Sequence, residues 1–204
     1  MNKILQTLID NYPKLSPIEP DITRATSIIA NCYRNGGKVL LCGNGGSAAD
    51  CEHIVGELMK GFLLSRTIPQ SQAALYPDGF AENLQGALPA IALTGHNSLS
   101  TACSNDVHPK FVFAQQVYGL GSAGDVLVCI STSGNARNVA NAAITAKVKG
   151  MSVIGMTGDG GGELAKMCDC AIKAPADDTY RVQEYHLPIY HAICAMLEQE
   201  FFGA

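Results

Sequence analysis

The chain has 204 residues, 47% of them hydrophobic, enough to bury one sizeable core and better matched to one α/β domain than to two. The 18 acidic against 14 basic residues give a net charge of -4 with no Lys/Arg run, which argues against nucleic acid or an anionic membrane surface as a partner. No stretch approaches the ~18 apolar residues of a membrane span, and the opening MNKILQTLIDNYPKLSP interrupts its apolar residues with Gln6, Asp10 and Asn11, unlike a signal peptide; a soluble, cytoplasmic protein is the expectation.

In chain order, residues 1–36 read as a helical segment. Its second part, PIEPDITRATSIIANCYRNGG, has helical spacing and stops at Gly36-Gly37, a plausible C-cap. The apolar run KVLLC (38–42) then reads as a strand, broken by Gly43-Asn44-Gly45-Gly46-Ser47 before a helix carrying His53 and Glu57. Residues 63–87 hold Pro69, Pro77, Gly79 and Gly86 and show no sustained period; they form an insertion, either a lid or binding loop or a short helical excursion. Further apolar runs follow at PAIAL (89–93), DVLVCI (125–130), SVIGM (152–156) and CAIKA (170–174). The chain closes with a long helix over about 178–201, in which Pro188 marks a kink or a delayed start.

Strands that are apolar along their whole length belong to a parallel sheet covered on both faces. Five of them alternating with helical patterns predict a doubly wound, five-stranded parallel sheet flanked by helices, a single domain over 1–204 whose ligand lies beyond the carboxyl ends of the strands. The eight cysteines are scattered, several inside apolar runs, and read as buried reduced thiols. Cys168-Asp169-Cys170 is the one close pair, and without a second pair it is weak support for zinc.

Three loops join a strand to a helix: Gly43–Ser47, Ser131-Thr132-Ser133-Gly134-Asn135 and Thr157–Gly162. Free N–H groups at a helix start attract anions, glycine lets backbone approach closely, and Ser/Thr hydroxyls add donors. One such loop is ordinarily a capped helix start. Two after strands of one sheet, one rich in glycine and one in hydroxyls, point to a small phosphorylated ligand. Neither loop has Walker A or dinucleotide spacing, so no nucleotide is expected. His53 and Glu57, at i and i+4, share a helix face. Alone, such a pair is most simply a surface hydrogen bond; on a helix opening at an anion site it suits zinc ligation or general-base work.

The blocks GNGGSAADCEHIVGEL, SND (104–106), GDVLVCISTSGN, GMSVIGMTGDGG and RVQEYHLPIYHAIC, in this order and spacing, resemble the phosphoheptose isomerases of the sugar isomerase (SIS) superfamily. The resemblance implies a flavodoxin-like SIS fold and an aldose-ketose isomerase acting on sedoheptulose 7-phosphate through an enediol. It implies substrate contacts from Asn44, Gly45, Gly46, Ser47, Asn105, Asp106, Ser131, Thr132, Ser133 and Gln183. Glu57 takes the carbon-proton role and His191 the oxygen side, with His186 as runner-up for His191. One zinc per subunit is implied on His53, Glu57, Gln183 and His191, although Gln183 and His191 are ~12 Å apart along a continuous helix, so a bend at Pro188 or a second subunit is needed.

The resemblance further implies a homotetramer with shared sites. Two positions depart from the family pattern: Ala136 stands where a Ser follows STSGN, and Gly61 stands where an Arg often follows the Glu, with Lys60 beside it. The competing reading, a non-catalytic regulator that senses phosphosugars or binds a replication initiator, is disfavoured by the joint retention of His53, Glu57, Gln183 and His191.

Overall fold

The computed structural model describes residues 2–203; Met1 and Ala204, the outer limits of the expected domain, lie outside the described residues. In chain order it contains α1 (Lys3–Asn11), α2 (Glu19–Arg34), β1 (Val39–Gly43), α3 (Gly46–Met59), α4 (Gln70–Ala73), β2 (Ala90–Ala92), α5 (Asn97–Asp106), α6 (Val112–Leu120), β3 (Val126–Ile130), α7 (Arg137–Val148), β4 (Ser152–Gly158), α8 (Gly162–Ala165), β5 (Cys170–Ala174) and α9 (Thr179–Phe202). The strands pair in parallel in the order β2-β1-β3-β4-β5. The chain leaves β1 toward β2 and returns past it to β3, so the switch point lies between β1 and β3, where a doubly wound sheet opens a crevice for ligands.

The apolar strand sequences follow from burial on both faces. Val39, Leu41, Val128, Ile154 and Ile172 face one layer with α1, α2, α3 and α9, while Leu40, Leu127, Cys129 and Val153 face the other with α5, α6 and α7; successive residues of a strand point to opposite sides. The α2 stop is the expected glycine cap: Gly36 has φ +74°, its N–H donates to the Tyr33 carbonyl, and the Gly37 N–H donates to that of Cys32.

All eight cysteines are free, seven of them buried. Cys168 and Cys170 do not converge, for their thiols donate to the carbonyls of Leu164 and Asp21, in different layers. The insertion contains α4 and a 3₁₀ turn at Ala81–Asn83. Its base is closed by the Gly86 N–H on the Arg66 carbonyl and the Leu88 N–H on the Leu58 carbonyl. The last helix neither starts late nor breaks at Pro188; α9 runs unbroken from Thr179. No helix among the described residues is long and apolar enough to cross a membrane.

Candidate active site

At the carboxyl end of β1, Gly43 has no room for a side chain, since a Cβ would meet the Ser47 carbonyl at 2.8 Å, and Gly45 has φ +55°. Glycine is required at both. The N–H groups of Ser47, Ala48 and Ala49 are used within the turn, on the carbonyls of Asn44 and Gly45. Gly45 and Gly46 make no such turn bond, and their N–H groups stand at the positive end of a 14-residue helix.

Asn44 exchanges two amide hydrogen bonds with Asn138, of 3.0 and 2.8 Å, which tie this loop to the start of α7. Both lie on a cleft of about 580 Å³ shared with Gly45, Thr94, Ser104 and Asn105. Asn105 also donates to Asp106 at 2.8 Å. Sequence reasoning did not find Asn138, which lies three residues past the STSGN block.

The second loop keeps Ser131 buried and Ser133 exposed, and the Ser133 hydroxyl accepts from the Asn135 N–H. The third loop serves the second. Its Gly158 N–H donates to the Thr132 carbonyl and the Leu164 N–H to that of Gly134, while the Glu163 N–H donates to Asn135 Oδ1. Gly134, Gly161 and Gly162 press so closely that a side chain on Gly134 would collide with backbone. Thr157–Gly162 is thus a buttress for the second loop, which leaves Gly43–Ser47 and Ser131–Asn135 as the candidate anion loops.

The residues with acid-base chemistry gather where α3 lies along α9. His53 Nε2 is 3.1 Å from Glu57 Oε1 and 3.4 Å from His191 Nε2, and the His53 and His191 rings meet edge to face with centroids 4.9 Å apart. Glu57 Oε2 is buried with no hydrogen-bond partner; its nearest cation is Lys60 Nζ at 3.8 Å. Burial and His53 push His191 below its ordinary value, against the pull of Glu57, which favours a neutral imidazole near pH 7.

Behind His53 the Tyr190 hydroxyl lies 2.9 Å from Nδ1 and 3.3 Å from Asp50 Oδ1. Burial and the Asp50 carboxylate push the phenol up, keeping it an O–H. Asp50 and Tyr190 were not expected, though Asp50 sits three residues before His53 and Tyr190 adjoins His191. His186, by contrast, is fully buried; its Nε2 lies 3.2 Å from the Thr157 carbonyl, and burial pushes it down to about 4. A group sealed beneath the third loop cannot reach a ligand, so His191 is the acid-base candidate.

Two helical turns beyond His191, Arg66 and Glu198 form a salt bridge of 2.7 Å with side chains 0% and 1% exposed. Glu198 also accepts from the N–H groups of Phe62, Leu63 and Leu64. Arg66 donates to the carbonyls of Leu58 and Glu57 at 2.7 and 2.8 Å, capping the end of α3. The turn that starts this segment explains the departure at Gly61, where a Cβ would stand 2.7 Å from the Leu64 carbonyl; no arginine fits there in this conformation. At the other departure, Ala136 precedes α7 without a side-chain cap.

Of the residues expected to hold zinc, the fold brings His53, Glu57 and His191 side by side. Gln183 packs against Gly46 of the first loop, about 12 Å of helix before His191. Among the described residues no three His, Cys, Asp or Glu side chains are grouped so as to hold a metal ion. The donors still fit one in kind. Two imidazole nitrogens and a carboxylate oxygen stand in pairs 3.1 and 3.4 Å apart, near the roughly 3.3–3.6 Å between two ligands of a tetrahedral ion held at ~2.0–2.2 Å, and the remaining Glu57 oxygen lacks a partner.

The family model described as SIS domain matches residues 14–83 and 76–158. The chain is 39% identical over 95% of its length, and 93% of the relative's, to the phosphoheptose isomerase of Rhodospirillum rubrum. It is 43% identical over 89% of its length, and 83% of the relative's, to that of Clostridium acetobutylicum. Among solved structures, phosphoheptose isomerase GmhA from Neisseria gonorrhoeae superposes with a TM-score of 0.76 at 34% identity, covering 95% of this chain and 96% of its own.

Proposed function

This chain belongs to the phosphoheptose isomerase family of SIS-domain proteins, and from that premise we propose that it interconverts sedoheptulose 7-phosphate and D-glycero-D-manno-heptose 7-phosphate. The observation that carries the reading is the gathering of Glu57, His53 and His191 where α3 lies along α9, with one Glu57 oxygen buried and unpartnered. The reaction moves one proton between adjacent carbons and a second between their oxygens. Glu57, with one carboxylate oxygen buried and unpartnered, takes the carbon proton and returns it to the neighbouring carbon. His191, held neutral, carries the proton between the oxygens. Gly45, Gly46 and the Ser131–Ser133 hydroxyls hold the phosphate and fix the sugar's position against these groups.

His53, Glu57 and His191 would hold a zinc ion, with Gln183 as the fourth donor the family supplies. Such an ion would supply Lewis-acid polarisation of the sugar carbonyl and stabilisation of a developing oxyanion. Nothing in the site favours the regulator reading, since the carboxylate and imidazole positions such a protein would lack are both present.

Within one chain the anion loop and Glu57 are 11 residues apart on a continuous helix, about 16 Å, more than an extended seven-carbon phosphate spans. We therefore assign each active site to two chains of a homotetramer, one supplying the phosphate loops and another Glu57 and His191. The reading is tested by assaying the purified protein on sedoheptulose 7-phosphate and then mixing two inactive variants, Glu57→Gln and Thr132→Ala/Ser133→Ala. Mixed oligomers should recover turnover that neither parent has. No turnover by the unmodified protein would overturn the reaction, and no recovery on mixing would overturn the shared site.

A further inference from the structure

His53 meets the site through Nε2 and the protein interior through Nδ1, so the nitrogen that carries its proton decides what the site receives. The atom facing Nδ1 is the Tyr190 hydroxyl at 2.9 Å, and the same hydroxyl lies 3.3 Å from Asp50 Oδ1. Tyr190 is 2% exposed, so water does not compete for its O–H. A phenol has one proton to donate and accepts with its remaining lone pairs.

Two assignments exist. If Tyr190 donates to Nδ1, the half-buried Asp50 carboxylate loses its one hydrogen-bond partner, because Asp50 Oδ2 is already buried without one. If Tyr190 donates to Asp50, the carboxylate gains a charge-assisted bond and the phenol oxygen accepts from Nδ1–H. Each assignment leaves one further carboxylate oxygen without a donor, Asp50 Oδ1 in the first and Glu57 Oε1 in the second; the second places it beside the exposed His53, where a ligand can complete it, and not behind the buried Tyr190.

We infer that Tyr190 is a positioning residue that links Asp50 to His53 and holds the His53 imidazole as its Nδ1–H tautomer, presenting a bare Nε2 lone pair to Glu57 and His191. The consequence is chemical. A lone pair on Nε2 and a carboxylate oxygen 3.1 Å away repel unless a proton or a cation lies between them. The relay therefore leaves the His53–Glu57 pair open on the side of the site, to be completed by a group of a ligand. It also fixes the ring plane, as carboxylates behind ligand histidines do elsewhere. The tautomer stands on geometry alone; its effect on turnover rests on the isomerase reading above.

The test is nitrogen NMR on ¹⁵N-histidine-labelled, chelator-treated protein at about pH 8, with His53→Gln used to assign the His53 signals among the five histidines. The unmodified protein should show His53 as Nδ1–H. Tyr190→Phe, which keeps the ring and removes the hydroxyl, should release it to a mixture and lower kcat about tenfold with KM within about twofold. Asp50→Asn should move the proton to Nε2, because the amide can donate to the phenol oxygen and turn the phenol proton toward Nδ1. If Tyr190→Phe does not fold, Asp50→Asn carries the same test.

An Nε2–H signal in the unmodified protein, or a tautomer unmoved in a folded variant, overturns the inference. The expected tautomer in a protein without phosphosugar isomerase activity would keep the relay and overturn the function.

Discussion

The seam between α3 and α9 has two polar ends built to opposite rules. At one, Arg66 and Glu198 are almost fully buried and richly paired: Glu198 accepts three backbone N–H groups and the guanidinium, and Arg66 caps two carbonyls of α3. At the other, two helical turns back along α9, His53 is exposed, Glu57 Oε2 and Asp50 Oδ2 lack partners, and two imidazole nitrogens face each other. Buried polar groups left unpaired are costly, so a fold retains them where a ligand or a proton completes the set. Glu57 belongs to both ends: its carbonyl is held by Arg66 while its carboxylate is left open. The difference separates scaffold from site on one pair of helices.

The comparison is broken most directly at Glu57. Glu57→Gln should lower kcat by roughly 10²–10⁴-fold, the ordinary worth of a positioned acid-base group, with a melting temperature close to that of the unmodified protein. Loss of fold with little loss of turnover per folded molecule would reverse the assignment of the two ends.

Glu198→Gln should do the opposite. It leaves Arg66 buried and unpaired, so chemical denaturation should show about 3–5 kcal/mol of lost stability. Replacing Arg66 and Glu198 together by apolar residues should cost less than Glu198→Gln alone, and equal costs would deny that the pair is a unit.

His186 sharpens the contrast, because it too has a ring nitrogen without a partner yet is sealed from solvent. Burial pushes it down to about 4, below the ordinary ~6.5 of a histidine, so the unfolded chain binds the proton first as pH falls. Stability is complete above pH ~6.5 and declines toward pH 4, by about 3 kcal/mol from this group. His186→Leu should flatten that slope in denaturation curves across the range while leaving kcat near its starting value. A large fall in kcat would place His186 in the site after all.

The smallest effect concerns metal. Treatment with a chelator should lower activity and zinc should restore it, with no change in the melting of the Glu198 end. Full activity in protein shown by elemental analysis to be metal-free would leave Glu57 and His191 as acid-base groups acting alone.

Much of the scaffold was legible beforehand. The five apolar runs became the five strands within two residues at each end, because burial on both faces of the central strands of a parallel sheet favours apolar residues along their length. Gly36, Gly43 and Gly45 could be located as turn glycines, because left-handed backbone and close contact demand them. The His53–Glu57 pair was readable from its i, i+4 spacing, which covalent helix geometry enforces. The third loop was not: Thr157–Gly162 has the composition of an anion site, and only its contacts with Gly134 and Asn135 reveal a buttress.

By itself, then, the sequence determined what lies within a helical turn or along a strand: the sheet, the glycine and hydroxyl loops that follow its strands, and the face that carries His53 and Glu57. The tertiary structure alone decided which distant groups meet them. Arg66 finds Glu198 across 132 positions and Tyr190 finds His53 across 137, while Gln183 comes to rest on Gly46. Local geometry repeats with the period of the backbone and leaves its mark in residue spacing. Long-range pairing is settled by how packed helices cross, and spacing along the chain carries no record of it.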